Sequence, residues 1–396
     1  MSEKSEPSAR ARPAIDPRAV KQDCGQVVLV FQGEGALGAY QVGVFQALHE
    51  AGVEPDWVIG TSIGAINAAL IVGNPVELRL GRLDEFWRRV ERGEWQSWLS
   101  RAPGLGPFIA NFVTATSGLE AFFAPNPLAF ASELAPLGPE RAGYYSTAPL
   151  AATLRDLVDE EALNSGAPQI TVCAANVATG DMRYFDSRDG RFALPHILAS
   201  GALPPAFPAV RIEGDLCWDG GILSNTPVEA VFDDNSRCNS LVVSVHIWSP
   251  RGPEPNSIWE VMTRQKDVQY SSRTLTHIAR QKQLHRLRHI VTELASHIPG
   301  DARNDERVKL LQSYGCVTRM HVVRLVAPPV DGEDHTKDID FSREGIRQRR
   351  AAGRDDTRRV LESKPWSGEF DPMEGFILHE VDRGVTTEGT RPERNE

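Results

Sequence analysis

The feature that most restricts this chain is Val58-Ile59-Gly60-Thr61-Ser62-Ile63-Gly64-Ala65-Ile66. A short apolar run meets an apolar helical pattern, with only two glycines and the residues between them to make the change. A strand that enters a helix through so tight a turn strains the backbone of the residue at its apex. Side chains two positions before and after that residue would collide, so the turn needs glycine at 60 and 64. The product is a nucleophile elbow. It lifts the Ser62 hydroxyl out of the sheet and aims a helix N-terminus at it, where free N–H groups favour a developing negative charge. The pentapeptide alone also fits a helix-packing turn of small residues, so its weight depends on what accompanies it.

The surrounding pattern suits the elbow. Val27 to Phe31 is a continuous apolar run, as expected of a strand buried on both faces. It breaks into Gly33-Glu34-Gly35-Ala36-Leu37-Gly38, after which Tyr40, Val44, Ala47 and Leu48 recur at helical spacing. Asp56 to Gly60 reads as a second strand and Ile63 to Val72 as a second helix. Two strand–turn–helix units in succession predict an α/β fold with a largely parallel sheet. Further on, paired strands are expected across Thr179-Gly180, a buried strand from Ser240, and a late strand from Met320. From Ser257 the chain becomes helical and charged, and Phe341 to Ser363 reads as an arginine-rich amphipathic helix. That helix is a solvated face or a docking surface for the rest of the chain; the sharper alternative is a site for an anionic lipid or partner. Trp95 to Phe130 is rich in aromatics, Gly and Pro without a clean period. It reads as an irregular covering layer, or as the apolar rim through which a fatty substrate enters.

Composition excludes some classes. The formal charge of −10 over 396 residues argues against nucleic acid as a partner. It also argues against bulk adsorption to anionic membranes, though not against a local basic patch. The five cysteines, Cys24, Cys173, Cys217, Cys238 and Cys316, are scattered and never spaced as CxxC. A disulfide framework or structural zinc is not expected. The polar N-terminus lacks the apolar core of a secretory signal, and no apolar run reaches the ~20 residues needed to span a bilayer. A cytoplasmic protein is expected, meeting lipid from the water side, as a peripheral contact with a membrane or lipid granule.

Ser62 needs an oxyanion site and a base. The glycines at 33, 35 and 38 let backbone N–H groups turn inward into an anion-binding nest. GxGxxG also spells a dinucleotide fingerprint, but no acidic residue closes a second strand about 20 residues on, since Asp56 precedes its strand. A glycine-lined oxyanion hole is the more economical partner for the elbow. Asp219, in Trp218-Asp219-Gly220-Gly221, can serve as the base from a strand end. Its unperturbed pKa of ~3.9 makes it a poor base, so partial burial should raise it. Alone, Asp-Gly-Gly reads as a plain turn. A serine–aspartate–histidine triad would instead use a histidine such as His246; both His196 and His246 read more simply as core or surface residues.

The three elements in order, GEGALG, GTSIG and DGG, resemble the patatin-like phospholipases, serine acyl hydrolases with a Ser–Asp dyad. The stretch ASGALPPAFPAVRIEGDLCWDGGILSNTPVEA is similar to that family's approach to its DGG, and the likeness covers Gln26 to Ile247. It implies a three-layer α/β/α sandwich with a mostly parallel central sheet and a helical C-terminal extension. It implies Ser62 as nucleophile and Asp219 as base, with Gly33, Glu34, Gly35 and Gly38 forming the oxyanion loop. Gly60 and Gly64 would shape the elbow, and Gly220 and Gly221 the base loop. No metal or organic cofactor is implied, and the substrate class is a lipid or other acyl ester. Two departures stand out: Glu34 replaces a family glycine, and Leu37 a basic residue. Glu34 would repel a developing oxyanion unless its side chain turned to solvent. A non-catalytic lipid- or granule-binding protein on the same fold is therefore the rival reading. The expected organisation is a disordered leader at 1–24, a catalytic domain at 25–250, a mainly helical region at 251–365 and a polar tail at 366–396.

Overall fold

The computed structural model describes residues 16–91, 119–131, 136–234, 237–330, 333 and 336–381. Most of the aromatic stretch from Trp95 to Phe130 lies outside the described residues.

The first two strands, β1 (Gln26–Phe31) and β2 (Trp57–Gly60), form the centre of the main sheet. The short β3 (Ala124–Pro125) and β4 (Tyr145–Ser146) pair only with each other. The main sheet continues with β5 (Gln169–Asn176), β6 (Met182–Asp186), β7 (Val210–Ile212) and β8 (Asp215–Asp219) on one side of the centre. On the other side come β9 (Ser240–His246), β10 (Met320–Val326) and β11 (Phe376–Glu380). The order is β11-β10-β9-β1-β2-β5-β8-β7, with β6 also paired to β5. The six strands from β11 to β5 are parallel. The antiparallel strands β6, β8 and β7 complete the edge beyond β5.

The continuous apolar runs follow from cover on both faces. Val27, Leu29 and Phe31 of β1 pack into one layer, and Val28 and Val30 into the other. Val243 and Leu241 of β9 join the first layer, Val242 the second. Each fully buried side chain of this size contributes roughly 1.5–3 kcal/mol. The elbow helix, Ile63–Val72, is buried along its whole length, which explains why it shows no polar face. The expected three-layer sandwich with a mostly parallel sheet is therefore the observed fold.

The C-terminal region is not separable from that sandwich. Beyond residue 250, β10 and β11 extend the sheet by two strands. The long helix Ile258–Ser296 brings Ile278 into the second layer. The arginine helix, Arg343–Ser363, crosses the helix Ala39–Glu50 at backbone contact. A methyl on Gly43 would overlap the Arg350 carbonyl, and one on Gly353 the Tyr40 carbonyl. Tyr40 donates a 2.6 Å hydrogen bond to Asp356, while Arg350 and Arg354 reach Asp84 and Glu50 at 2.7 and 2.8 Å. Its arginines thus form a docking surface toward the rest of the chain.

Three boundaries read from sequence are corrected here. The disordered leader expected through residue 24 gives way to a helix at Pro17–Cys24, capped by the Asp16 side chain and burying Val20 and Cys24. The polar tail expected from residue 366 contains the buried Trp366 and the edge strand β11. The border drawn at residue 250 falls within a continuous sheet. Sparse apolar residues conceal these segments in the sequence, because each is stabilised by neighbours far along the chain. Among the described residues, no helix is long and apolar enough to cross a membrane.

Candidate active site

In the sheet, β1 lies between β2, its successor, and β9, which comes more than 200 residues after β1. The chain therefore leaves β1 in one direction and returns on its other side. A crevice opens at such a reversal, at the carboxyl ends of the strands. The glycine loop follows β1 into this crevice, and the elbow follows β2 into it.

Ser62 occupies the apex with φ 53° and ψ −121°, a conformation strained for any residue with a side chain. A methyl on Gly60 would overlap the Gly64 carbonyl, and one on Gly64 would sit 2.6 Å from the Phe31 carbonyl oxygen. Both glycines are thus required by contact, as expected. The Ser62 N–H donates to the Ser200 hydroxyl at 3.1 Å, and the elbow helix begins at the next residue.

Asp219 ends β8 and is 2% exposed. Its Oδ1 accepts the Gly221 N–H at 2.7 Å, and Ser62 lines the same chamber beside it. Burial pushes its carboxyl up to about 7, against the opposing pull of the Gly221 N–H and the Ser62 hydroxyl. Gly220 is needed because a methyl there would lie 2.6 Å from the Cys173 carbonyl oxygen. Serine and aspartate thus meet although 157 positions separate them.

The glycine loop departs from expectation. Gly33 donates its N–H to the Asn225 carbonyl at 3.1 Å and accepts from the Asn225 amide at 3.1 Å. Its N–H is spent, so Gly33 is corrected from an oxyanion donor to a close-packing residue, with a would-be methyl 3.0 Å from Ser62 Cβ. Gly38 packs against Ile63 and Trp87, and a methyl there would meet Ile63 at 2.7 Å. Glu34 and Gly35, at φ 135° and 39°, form the inward turn beside Ser62. Gly35 is held from above, since a methyl there would overlap the Asp338 carbonyl.

The Glu34 side chain is half-buried rather than turned out to bulk solvent. It lines both chambers that meet at Ser62. Burial, with the charges of Asp338 and Asp219, pushes its carboxyl up to about 8, against the opposing pull of Lys266. Neutrality near pH 7 removes the repulsion that a carboxylate would impose. Lys266 is itself bound to Asp338 at 2.8 Å.

The two chambers differ in chemistry. One, of about 220 Å³, is lined by Phe122, Phe123, Tyr145, Phe207, Phe341 and Ile66. The other, of about 390 Å³, is lined by Asp219, Ser224, Asn225, Gln269, Tyr270 and His277. Ser62, Glu34 and Leu203 belong to both.

His246 is not brought to this site. It is buried against Ser244, with its pKa pushed down to about 3 by burial and then by Arg324. His196 is bonded to Ala193 and packed between Phe185 and Phe192. Sequence reasoning passed over the histidine that does line the polar chamber, His277, with Glu229 at 3.7 Å. It also missed the polar scaffold behind the loop. Gln32 Oε1 accepts from the Ile247 N–H at 2.6 Å, and Gln41 donates to the Gln32 carbonyl at 2.6 Å. Asn67 donates to the Gly38 carbonyl and accepts from Trp87. Polar residues inside apolar helical runs were the available signal, since a buried amide needs a partner.

These features define an α/β protein with an elbow serine, a buried carboxyl partner and an amphiphilic cleft. The patatin-like phospholipase family model matches residues 29–232, just over half of the chain, and the chain belongs to that family. A second model, described as patatin phospholipase, matches residues 268–373. Lysophospholipase nte1 of Aspergillus terreus is 44% identical over 80 residues, 18% of this chain and 5% of that protein. The patatin-like phospholipase domain-containing protein ZK370.4 of Caenorhabditis elegans is 24% identical over 211 residues, 53% of this chain and 13% of that one. The chain thus spans only a small part of the length of these curated relatives. Among solved structures, VipD from Legionella pneumophila is similar with a TM-score of 0.35 at 17% identity, covering 85% of this chain and 67% of that one.

Proposed function

We propose that this protein hydrolyses lipid-like carboxylic esters through an acyl-serine on Ser62, with Asp219 as the general base. The observation that carries this reading is the strained Ser62 beside a buried carboxyl at the junction of an apolar and a polar chamber. The acyl chain occupies the phenylalanine-lined chamber and the alcohol portion the polar one, because each then meets its own chemistry.

The Ser62 oxygen attacks the ester carbonyl and its proton passes to Asp219. The N–H groups of Glu34 and Gly35 hold the oxyanion, assisted by the positive end of the elbow helix. Collapse expels the alcohol, which takes the proton from Asp219. Water then attacks the acyl-serine, Asp219 accepts its proton, and the acid leaves as Ser62 is restored. A base with a pKa near 7 suits this shuttle better than an ordinary aspartate. The family membership and the printed name of the lysophospholipase relative support a lipid ester as substrate class.

The test is hydrolysis of short and medium p-nitrophenyl acyl esters, beside Ser62→Ala and Asp219→Asn. Loss in both variants is the expected outcome. An inactive parent whose Ser62 also resists an acyl phosphonate would sink the enzyme reading in favour of lipid binding. That rival draws on Glu34 in the oxyanion loop, and recovery of activity in Glu34→Gly would show the site switched off by that residue.

A further inference from the structure

The long helix Ile258–Ser296 has two faces of unlike use. One flank supplies Gln269, Tyr270 and His277 to the polar chamber, while Ile278, His285 and His289 form the buried face. Two turns beyond His277 on the same side stands Leu284, followed by Leu287 and Leu294, which are 57% and 63% exposed. The segment after the helix folds back beside it, with the Cys316 N–H donating to the Arg288 carbonyl. That return adds Leu310, Leu311, Tyr314 and Val317, of which Val317 is 73% exposed. Upstream, Ile258, Val261 and Met262 are exposed as well. Large apolar side chains clustered at this density on a surface mark an interaction site.

The charge of the segment identifies the occupant. Around the helix leucines, residues 280–294 hold Arg280, Lys282, Arg286 and Arg288 against Glu293 alone, in a chain of net charge −10. Arg280 and Arg286 are exposed there, Lys282 pairs with Glu374, and Arg307 and Lys309 are exposed on the return beside Asp305 and Glu306. Basic side chains set around exposed leucines match an interface that is apolar beneath an anionic surface.

We propose that the outer face of the long helix and the following return form a docking surface for an anionic lipid bilayer, which sets the polar chamber beside the membrane. This rests on the lipid-ester reading only for its purpose; the docking itself requires no turnover. Docked this way, the helix that walls the chamber also meets the bilayer, so a lipid leaves the membrane along one element.

The test is co-sedimentation of the full chain with vesicles of phosphatidylcholine alone or mixed with phosphatidylglycerol. The expected result is partition to the mixed vesicles that weakens with salt and falls about tenfold or more in Leu287→Ser/Leu294→Ser, which removes two buried leucines from the lipid. Arg286→Glu/Lys309→Glu should lower it too, through charge alone. Hydrolysis of a short soluble p-nitrophenyl ester should be unchanged in both variants, and Ser62→Ala should bind vesicles like the parent. Vesicle binding without any ester hydrolysis would leave the docking surface standing and overturn only the enzyme reading. No partition to anionic vesicles, or partition that both double variants leave intact, would overturn the proposal. So would concentration-dependent self-association abolished by the leucine substitutions, which would assign the face to a second copy of this chain.

Discussion

The elbow and the glycine loop lie side by side but are held in different ways. The elbow is shaped mainly from within: Gly60 and Gly64 touch each other and Phe31 on the adjoining strand fills what remains, with Ser200 and Cys173 bonding Ser62 and Thr61 from outside. The glycine loop is fixed from a distance. Asn225 takes both backbone groups of Gly33, Asp338 presses on Gly35, and Gln32 ties the end of β1 to the Ile247 and Trp248 N–H groups. The elbow is therefore mainly a local device, whereas the glycine loop is tuned by segments about 190 to 300 residues away. The loop is where the site can be adjusted without disturbing the serine, and it is where this chain carries its unusual glutamate.

The sharpest tests act on the elbow. Ser62→Ala should lower ester turnover roughly 10⁴-fold or more, with the melting temperature held or raised by relief of strain at a positive φ. Asp219→Asn should cost about 10³-fold or more, read from kcat on the same esters. Its stability should move the other way. Because burial raises the Asp219 carboxyl from 3.8 to about 7, the folded state binds a proton that the unfolded chain has released between those values. Stability contributed at Asp219 therefore falls as pH rises through that window, and stays low above it. Asp219→Asn should thus be more stable than the parent at pH 8, and the gain should vanish near pH 4. A melting temperature that drops at pH 8 would break the assignment of a buried, uncompensated carboxylate.

The loop is tested next. Gly35→Ala places a methyl on the Asp338 carbonyl at a positive φ, so it should cost about 2–4 kcal/mol of stability, together with most activity. Asn225→Ala should lower kcat by tenfold to about 10²-fold, because the Gly33 carbonyl loses its side-chain donor while its N–H keeps the backbone carbonyl at 225, and the loop loosens. If it leaves kcat intact, the distant control of the loop is refuted.

Glu34 gives a pH signature. Activity should rise through about 7 as Asp219 ionises and fall above about 8 as Glu34 ionises beside the oxyanion. In Glu34→Gln the alkaline limb should disappear while the acid limb remains. The smallest effect belongs to His277→Ala, less than roughly fivefold and mainly in KM, since His277 lines the chamber of the leaving alcohol. A loss as large as that of Asp219→Asn would instead make His277 the base and join it to Glu229.

Much of this was legible beforehand because the information was local. A glycine that must not carry a methyl, a strand covered on both faces, and an aspartate at a strand end leave marks within a few residues. The steric need for glycine at 60 and 64 was read from such marks, as were the parallel strands at Val27 and Val58. The arginine helix was visible as a helix, but its match of Gly353 to Tyr40 and Gly43 to Arg350 was not. Gly33 looked like a donor because glycine permits a turned N–H, yet only the position of Asn225 decides whether that group is available.

The sequence by itself determined the elbow and the order of the central elements, since short-range sterics and apolar periodicity dictate them; the pairing of Ser62 with Asp219 was implied by the family resemblance. The tertiary structure alone decided that Glu34 is near neutrality and that Asp219 titrates near 7. It also decided that the C-terminal region completes the sheet and presses on the oxyanion loop. Those outcomes depend on burial and on charges brought together by the fold, and neither is written in the spacing of neighbouring residues.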